Sequence, residues 1–216
     1  MPNRLMNLRK TFYLWDLADT LFLERWDAKK SGFPSFNEYV KSLGYTLENI
    51  DPRDYELAYE RPYREGLFDL TLSVGFREVL EWTNENGAFT TGIREQLDWR
   101  AEQLKRKYGF DIRPYIKELH STFDYGNINK KEMYMLEDIL GKKYSQGFTT
   151  VVYTDEKIVN CDFFITAAHS LIKDGTQLSY RVYNFLNKPG MLKSKTDNFW
   201  LAGGLLDIKS SEEQYL

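Results

Sequence analysis

The chain lacks several features that mark particular classes of protein. It has a single cysteine, Cys161, so no disulfide can form within the chain, which excludes a disulfide-stapled fold and fits a reducing compartment. Its 29 Lys and Arg are outnumbered by 32 Asp and Glu, giving a net charge of −3, so the basic excess typical of nucleic-acid and anionic-membrane binders is missing. No apolar run approaches the ~20 residues of a membrane span, and residues 1–10 lack a signal-peptide core. We therefore expect a cytoplasmic protein that binds neither nucleic acid nor membrane.

The first element that the sequence predicts is a strand over residues 11–15 (Thr-Phe-Tyr-Leu-Trp). Its aromatic and β-branched residues favour a buried strand, and it ends at the carboxylate Asp16. In open α/β sheets, ligands bind just beyond the carboxyl ends of the strands. Asp16 is therefore a candidate active-site residue, the alternative being an ordinary strand followed by an Asp-capped turn.

Residues 23–72 have a different pattern, in which we find helix signals and no strand. Ser35 and Glu38 have the spacing of a capping box, and residues 51–52 (Asp-Pro) have the cap and first position of another helix. The apolar contacts expected on that second helix are Leu57, Tyr59 and Tyr63. The length of 216 residues suits one domain with such an insertion. We predict a small, aromatic, helical insertion directly after the first strand.

Helices and strands alternate after the insertion. The predicted helices cover residues 75–86, 93–107, 129–140 and 158–172, and the predicted strands cover residues 87–92, 118–123, 148–155 and 179–186. A strand, an insertion and then helix–strand repeats indicate an α/β fold, with a parallel sheet covered by helices on both faces. The segment from residue 187 onwards contains Pro189, Gly190, Gly203 and Gly204, and we expect it to be irregular.

Chemically active side chains follow the ends of these predicted elements. They are Asp16, Thr90 with Thr91, a lysine at position 130 or 131, and Asp155 with Glu156. Carboxylates brought together at one sheet edge repel each other unless a cation lies between them, and Mg²⁺ prefers such oxygen ligands. A hydroxyl and a lysine opposite the metal would bind a phosphoryl group, and a carboxylate can be the nucleophile that receives it.

Four segments in this order resemble the motifs of haloacid dehalogenase-like (HAD) hydrolases. They are residues 15–21 (Trp-Asp-Leu-Ala-Asp-Thr-Leu), 88–92 (Ala-Phe-Thr-Thr-Gly), 129–132 (Asn-Lys-Lys-Glu) and 151–156 (Val-Val-Tyr-Thr-Asp-Glu). The resemblance implies a Rossmann-like core made of residues 1–22 and 73–216, with residues 23–72 as a small helical cap. It also implies a Mg²⁺-dependent phosphohydrolase that acts on a small phosphorylated metabolite through an aspartyl-phosphate intermediate.

The same resemblance implies a role for each motif residue. Asp16 would be the nucleophile and a metal ligand, the backbone carbonyl of Ala18 a second ligand, and Asp155 with Glu156 would complete the metal site. The residues implied to bind or neutralise the phosphoryl group are Thr90, Thr91, Gly92 and either Lys130 or Lys131.

One position departs from the family pattern. Phosphatases of this family have a second Asp two residues after the nucleophile, as general acid and base, and this chain has Ala18 there. General acid–base catalysis contributes ~10²–10⁴-fold, so ordinary phosphatase activity should be weakened. Phosphonatases have Ala at this position and use a cap lysine instead, for which the chain offers Lys29, Lys30 and Lys41. The other alternative is a catalytically silent HAD-fold module that binds a ligand or a protein.

Overall fold

The structure is a computed structural model that describes residues 10–46, 48–126 and 130–215. Its strands are β1 (Thr11–Trp15), β2 (Phe22–Trp26), β3 (Phe68–Leu72), β4 (Asn86–Thr90), β5 (Glu118–Ser121), β6 (Thr150–Asp155), β7 (Ser179–Phe185), β8 (Leu192–Thr196) and β9 (Phe199–Ala202). Its α-helices are α1 (Ala28–Ser31), α2 (Phe36–Ser42), α3 (Pro52–Leu57), α4 (Glu60–Glu65), α5 (Phe76–Trp82), α6 (Glu95–Tyr108), α7 (Met133–Ser145), α8 (Ile158–Lys173) and α9 (Leu205–Glu212).

The central sheet has seven strands in the order β5-β4-β1-β6-β7-β9-β8. All neighbouring strands are parallel except β8 and β9, which are antiparallel. The first strand, β1, lies between β4 and β6, and Trp15 is in register with Ala88 on one side and Thr154 on the other. The predicted α/β fold with a mostly parallel sheet is confirmed.

Both faces of the sheet are covered, and β1 shows how. Phe12 and Leu14 belong to a core that includes side chains of α7 and α8. Tyr13 and Trp15, on the opposite face, belong to a second core with side chains of α5, α6 and α9. Because side chains alternate along a strand, a strand buried on both faces has an uninterrupted run of large apolar residues. This is the pattern that residues 11–15 have.

The insertion contains strands as well as helices. Helices α1 to α4 lie between β2 and β3, which pair antiparallel with Phe22 opposite Leu72 and Trp26 opposite Phe68. The expectation that this segment has no strand is therefore wrong. In β3, Phe68 and Leu70 are buried while Asp69 and Thr71 are exposed, an alternation typical of a ribbon with one covered face. The division into a core and a cap at residues 23–72 stays a prediction.

Aromatic rings fill the inside of the insertion. The Phe36 ring lies 3.8 Å from that of Tyr59 and 5.6 Å from that of Phe68, measured between centroids. The insertion also contacts α6, since the Gln103 amide donates to the Phe68 carbonyl and the Tyr63 ring lies 6.3 Å from that of Trp99. These contacts explain where part of the high aromatic content, 16% of the chain, is used.

The segment after residue 187 is ordered, so the expectation of an irregular tail is wrong. The hairpin of β8 and β9 extends the sheet, with Phe199 of β9 in register with Val182 of β7. The Trp200 ring stacks on Tyr183 at 5.2 Å. Pro189 and Gly190 form a turn before the hairpin, and Pro and Gly in a turn do not prevent the strands that follow.

Some predicted helix ends also differ from the observed ones. The helix predicted over residues 75–86 ends at Trp82, where Thr83 becomes extended. The predicted helix start at Asn129 lies outside the described residues, and α7 begins at Met133. No helix in the described ranges is long and apolar enough to cross a membrane.

Candidate active site at the carboxyl ends of the strands

Three neighbouring parallel strands end at one cleft. Asp16 directly follows β1, Thr90 is the last residue of β4, and Asp155 is the last residue of β6. The cleft has a volume of about 230 Å³, and side chains of both the sheet edge and the insertion line it. This is the position at which α/β sheets bind their ligands.

Lys131 is a buried cation between two carboxylates at this cleft. Its side chain is 1% exposed, and its Nζ lies 2.6 Å from Asp16 Oδ1 and 2.7 Å from Asp155 Oδ2. Lys130 is different, because its side chain is 71% exposed and its Nζ pairs with Glu132 at 2.8 Å. Of these two alternatives, the structure therefore brings Lys131 to the site and leaves Lys130 outside it. Adjacent residues just before a helix face different directions, so only one of the two can point inwards.

Asp155 is fully buried and holds Lys131 in place. Its Oδ2 accepts from Lys131, from Tyr153 Oη at 2.6 Å and from Asn160 Nδ2 at 3.1 Å, and its Oδ1 accepts from the Lys157 backbone N–H at 2.8 Å. Burial alone would raise the pKa of Asp155, but these donors, above all the Lys131 charge, lower it overall. Both oxygens of Asp155 are thus already in use as hydrogen-bond acceptors.

Asp16 and Glu156 have far fewer donors. The Thr20 hydroxyl lies 3.4 Å from Asp16 Oδ2 and 3.4 Å from Glu156 Oε2, and it has one proton for the two. Burial, together with the Asp16 and Asp155 charges, raises the pKa of Glu156 to about 9. Burial also raises the pKa of Asp16, with Lys131 opposing the shift. Negative charge is therefore only partly compensated here.

The residues of this cleft fit a divalent cation. One oxygen each of Asp16, Asp155 and Glu156 lie within 4.8 Å of one another. When all three are ionised, the buried Lys131 and the exposed Lys157, whose Nζ lies 3.7 Å from Glu156 Oε1, do not fully neutralise them. Since the oxygens of Asp155 already have donors, Asp16 and Glu156 are the better placed to accept an ion. Ala18 lines the same cleft. Carboxylate and carbonyl oxygens are the ligands that Mg²⁺ prefers.

The end of β4 and the loop after it form another wall of the cleft. This segment contains the three residues that the sequence predicts to bind phosphate. Thr90, Thr91 and Gly92 line the cleft, and Thr90 Oγ1 accepts from the Gly92 backbone N–H at 3.1 Å. The end of β5 holds the loop, because the Ser121 hydroxyl donates to the Gly92 carbonyl at 2.7 Å. The Thr90 hydroxyl keeps its own proton, which it can donate to a bound anion.

The lysines considered for a phosphonatase do not reach the cleft. None of Lys29, Lys30 and Lys41 is among the described residues that line it. Lys30 Nζ donates to two backbone carbonyls of the insertion at 2.7 and 3.0 Å, and Lys41 Nζ pairs with Glu38 at 2.8 Å. An amine held outside the cleft cannot form a Schiff base with a ligand inside it.

The structure also places at the cleft five residues that the sequence did not single out. They are Glu24, Glu56, Gln96, Arg100 and Lys157. On α3 the buried residue is Glu56, at 9% exposure, whereas Leu57, expected to be an apolar contact, is 38% exposed. One acid beside one leucine does not reveal which of them faces inwards on a helix of six residues, so the sequence offered no usable signal.

Comparisons with known proteins address the fold rather than the site. No protein-family model matches the chain, and the comparison with curated proteins gives no match. A HAD family enzyme from Bacteroides thetaiotaomicron, solved as a magnesium complex, is 11% identical, with 81% of this chain and 93% of that chain covered and a TM-score of 0.49. The UTR4 protein from Saccharomyces cerevisiae is 13% identical, with 87% and 96% covered and a TM-score of 0.49. Likenesses of this size carry no argument about activity, which must be inferred from the side chains.

Proposed function

We propose that this chain is a HAD-like, Mg²⁺-dependent phosphohydrolase that acts on a small phosphorylated metabolite through an aspartyl-phosphate on Asp16. The observation that carries the proposal is the buried Lys131 between Asp16 and Asp155, beside Glu156, at the ends of adjacent parallel strands. Burying a lysine among carboxylates at a sheet edge is expensive, and a purely structural protein has no physical need for it. Strongly perturbed titratable groups in a cleft are typical of active sites.

Each residue of the cleft has a part in this chemistry. Asp16 and Glu156, with the backbone carbonyl of Ala18, would hold the metal, while Asp155 keeps Lys131 charged and in position. When bound, Mg²⁺ would neutralise charge on the phosphoryl oxygens and help to orient the phosphoryl group. Lys131 and the Thr90 hydroxyl offset the negative charge on the same oxygens.

The reaction has two steps. An oxygen of Asp16 attacks phosphorus, the bond from phosphorus to the leaving oxygen breaks, and that oxygen takes up a proton. A water molecule then attacks phosphorus and loses a proton, the bond to Asp16 breaks, and inorganic phosphate leaves. Both displacements need the reacting atoms held in line, which the rigid ends of three strands favour.

The size of the cleft supports a small substrate. Its volume of about 230 Å³ lies below the ~300–1,000 Å³ usual for ligand pockets. Residues 23–72 would be the cap of this site, because Glu24 and Glu56 of the insertion line the cleft together with core residues. We propose no nucleic-acid or membrane partner.

Ala18 favours a second candidate, a catalytically silent HAD-fold module. The site would then bind a phosphorylated ligand, or only a metal, without turnover. Asp19 does not replace the missing acid, because its carboxylate pairs with Arg25 at 2.8 Å, which favours the ionised form. The two candidates differ in one measurable property, the release of phosphate.

The test is phosphate release from a panel of phosphorylated metabolites with millimolar Mg²⁺. We expect the wild type to release phosphate and Asp16→Asn to fall to background, because a neutral amide cannot form the aspartyl-phosphate. Asp174→Asn, an exposed acid at the end of α8, is the matched control and should behave as wild type. A wild type that binds Mg²⁺ and phosphate but releases none across the panel would favour the silent module, and failure to bind Mg²⁺ would contradict the hydrolase.

A further inference from the structure

Phosphoryl transfer to Asp16, as proposed above, requires a proton donor for the leaving oxygen and then a base for the attacking water. Ala18 can be neither, and Lys131 is held between two carboxylates. We propose that Glu56, on α3 of the insertion, is the general acid and base of this site. The substitution at position 18 would then be compensated from the opposite wall of the cleft.

Glu56 stands out among the acids that line the cleft outside the metal cluster. Asp19 is paired with Arg25 at 2.8 Å, and Glu24 is paired with Arg100 at 3.0 Å. A carboxylate in an ion pair with a guanidinium is a poor proton donor, because the pair favours the ionised form. The hydrogen bond that Glu56 accepts comes instead from a neutral amide.

The position of Glu56 suits the reaction. Its Oε2 accepts from Gln96 Nε2 at 2.5 Å, and its Oε1 makes no hydrogen bond with any residue in the described part of the chain. If Gly92 had a Cβ, that atom would lie 3.3 Å from Glu56 Oε2. The Gly92 backbone N–H in turn contacts Thr90 Oγ1. The carboxyl group therefore packs directly on the loop that would hold the phosphoryl group.

The surroundings of Glu56 also suit a group that both gives and takes a proton. Burial raises the pKa of Glu56 to about 7, with the Glu24 charge adding to the shift and Arg100 and the Gln96 hydrogen bond opposing it. Near neutral pH such a carboxyl is present in both forms, which is the condition for efficient acid–base catalysis. Burial raises the pKa of Tyr59, another insertion side chain that lines the cleft, far above its usual value, so its hydroxyl is unsuited to act as the base.

The two proton transfers balance over one turnover. In the first step, protonated Glu56 gives its proton to the leaving oxygen while the phosphorus–oxygen bond breaks and Asp16 bonds to phosphorus. In the second step, the Glu56 carboxylate takes a proton from the water whose oxygen attacks phosphorus, and the Asp16 carboxylate is released. Glu56 ends protonated, ready for the next substrate molecule.

The experiment compares two esters of different leaving group with Mg²⁺ present, in the full chain. Ethyl phosphate needs its leaving oxygen protonated, whereas para-nitrophenyl phosphate releases a stable anion without help. For Glu56→Gln we expect kcat/KM to fall ~10²–10³-fold on ethyl phosphate and less than ~10-fold on the aryl ester. The value of kcat/KM depends only on the steps up to loss of the leaving group. The later role of Glu56 as base therefore does not affect the comparison of kcat/KM between the two esters. Turnover of the aryl ester also shows that the variant is folded.

Asp54→Asn is the matched control, since Asp54 is an exposed acid on the same helix, and it should leave both rates unchanged. Equal losses on the two esters in Glu56→Gln, no loss on either, or a wild type that acts on the aryl ester alone would each overturn the role of Glu56 while leaving Asp16 as nucleophile. A wild type that releases phosphate from neither ester would overturn the proposed function itself, and the role of Glu56 with it.

Discussion

Lys131 is the residue whose charge the candidate site depends on. Replacing it in Lys131→Met keeps a side chain of similar length but leaves Asp16 and Asp155 facing each other without a cation. Removing one partner of a buried ion pair typically lowers the free energy of unfolding by ~3–5 kcal/mol. We expect a loss of that order for the metal-free protein at neutral pH, measured by urea unfolding.

The neighbouring lysine provides the control for that prediction. Lys130 has the same chemistry, but its side chain is 71% exposed and its partner Glu132 lies near the surface. Lys130→Met should change the free energy of unfolding by no more than ~0.5 kcal/mol, as is usual for surface substitutions. Equal effects of the two substitutions would contradict the burial and pairing of Lys131.

At the scale of single residues, the site residues that the sequence predicted best are those that end a strand. Asp16, Thr90 and Asp155 each end an apolar strand, and the parallel order brings them together. It could not choose between Lys130 and Lys131, because the direction of a side chain just before a helix depends on backbone geometry. It did not predict Glu56 at all, because its role arises from how a short helix packs on the core.

At the scale of elements, two glycines should respond in opposite ways to the same substitution. In Gly203→Ala the added Cβ would overlap the backbone carbonyl oxygen of Lys188, in a loop also held by the Gly203 N–H bond to Met191 O at 2.6 Å. Overpacking of this kind usually destabilises by ~1–3 kcal/mol. In Gly141→Ala, within α7, the Cβ has nothing within 4 Å, and alanine should stabilise the helix by ~0.5–1 kcal/mol.

Thermal unfolding of the two alanine variants beside the wild type measures both effects. We expect the melting temperature of Gly203→Ala to fall and that of Gly141→Ala to rise. A neutral Gly203→Ala would mean that the chain near residue 188 does not pack against the end of β9.

The strands that could be predicted from the sequence are more buried than those that could not. Strands β1, β6 and β7 are buried along almost their whole length, and each contains adjacent apolar or aromatic residues that face opposite sides of the sheet. Strand β8 (Leu-Lys-Ser-Lys-Thr) is exposed at every position. It exists because it pairs with β9, and backbone pairing at a sheet edge leaves little mark on composition. Strand β2 likewise forms through backbone pairing, in its case with β3.

At the scale of the whole molecule, the carboxylate cluster should make stability depend on pH when no metal is bound. The pKa of Glu156 is raised to about 9 in the folded chain, against ~4.3 for a glutamate in an unfolded one. Between these values the folded state binds the proton more tightly, so stability falls as pH rises, by up to ~1.4 kcal/mol per pH unit for one such group. Asp155, with its lowered pKa, has the opposite effect, but only below ~3.9, outside this range.

The measurement is the melting temperature between ~pH 6 and ~pH 8, in the presence of a chelator. In this pH range Glu156 holds its proton in the folded state and has lost it in the unfolded state. We expect it to fall as pH rises in the wild type, and to fall less in Glu156→Gln, which cannot ionise. With millimolar Mg²⁺ the wild type should be stabilised most at the upper end of the range, because the ion takes the place of the proton and binds only the folded state. If neither Glu156→Gln nor Mg²⁺ altered the slope, the pH dependence would come from other groups, and the cluster of Asp16 and Glu156 would not be a cation site.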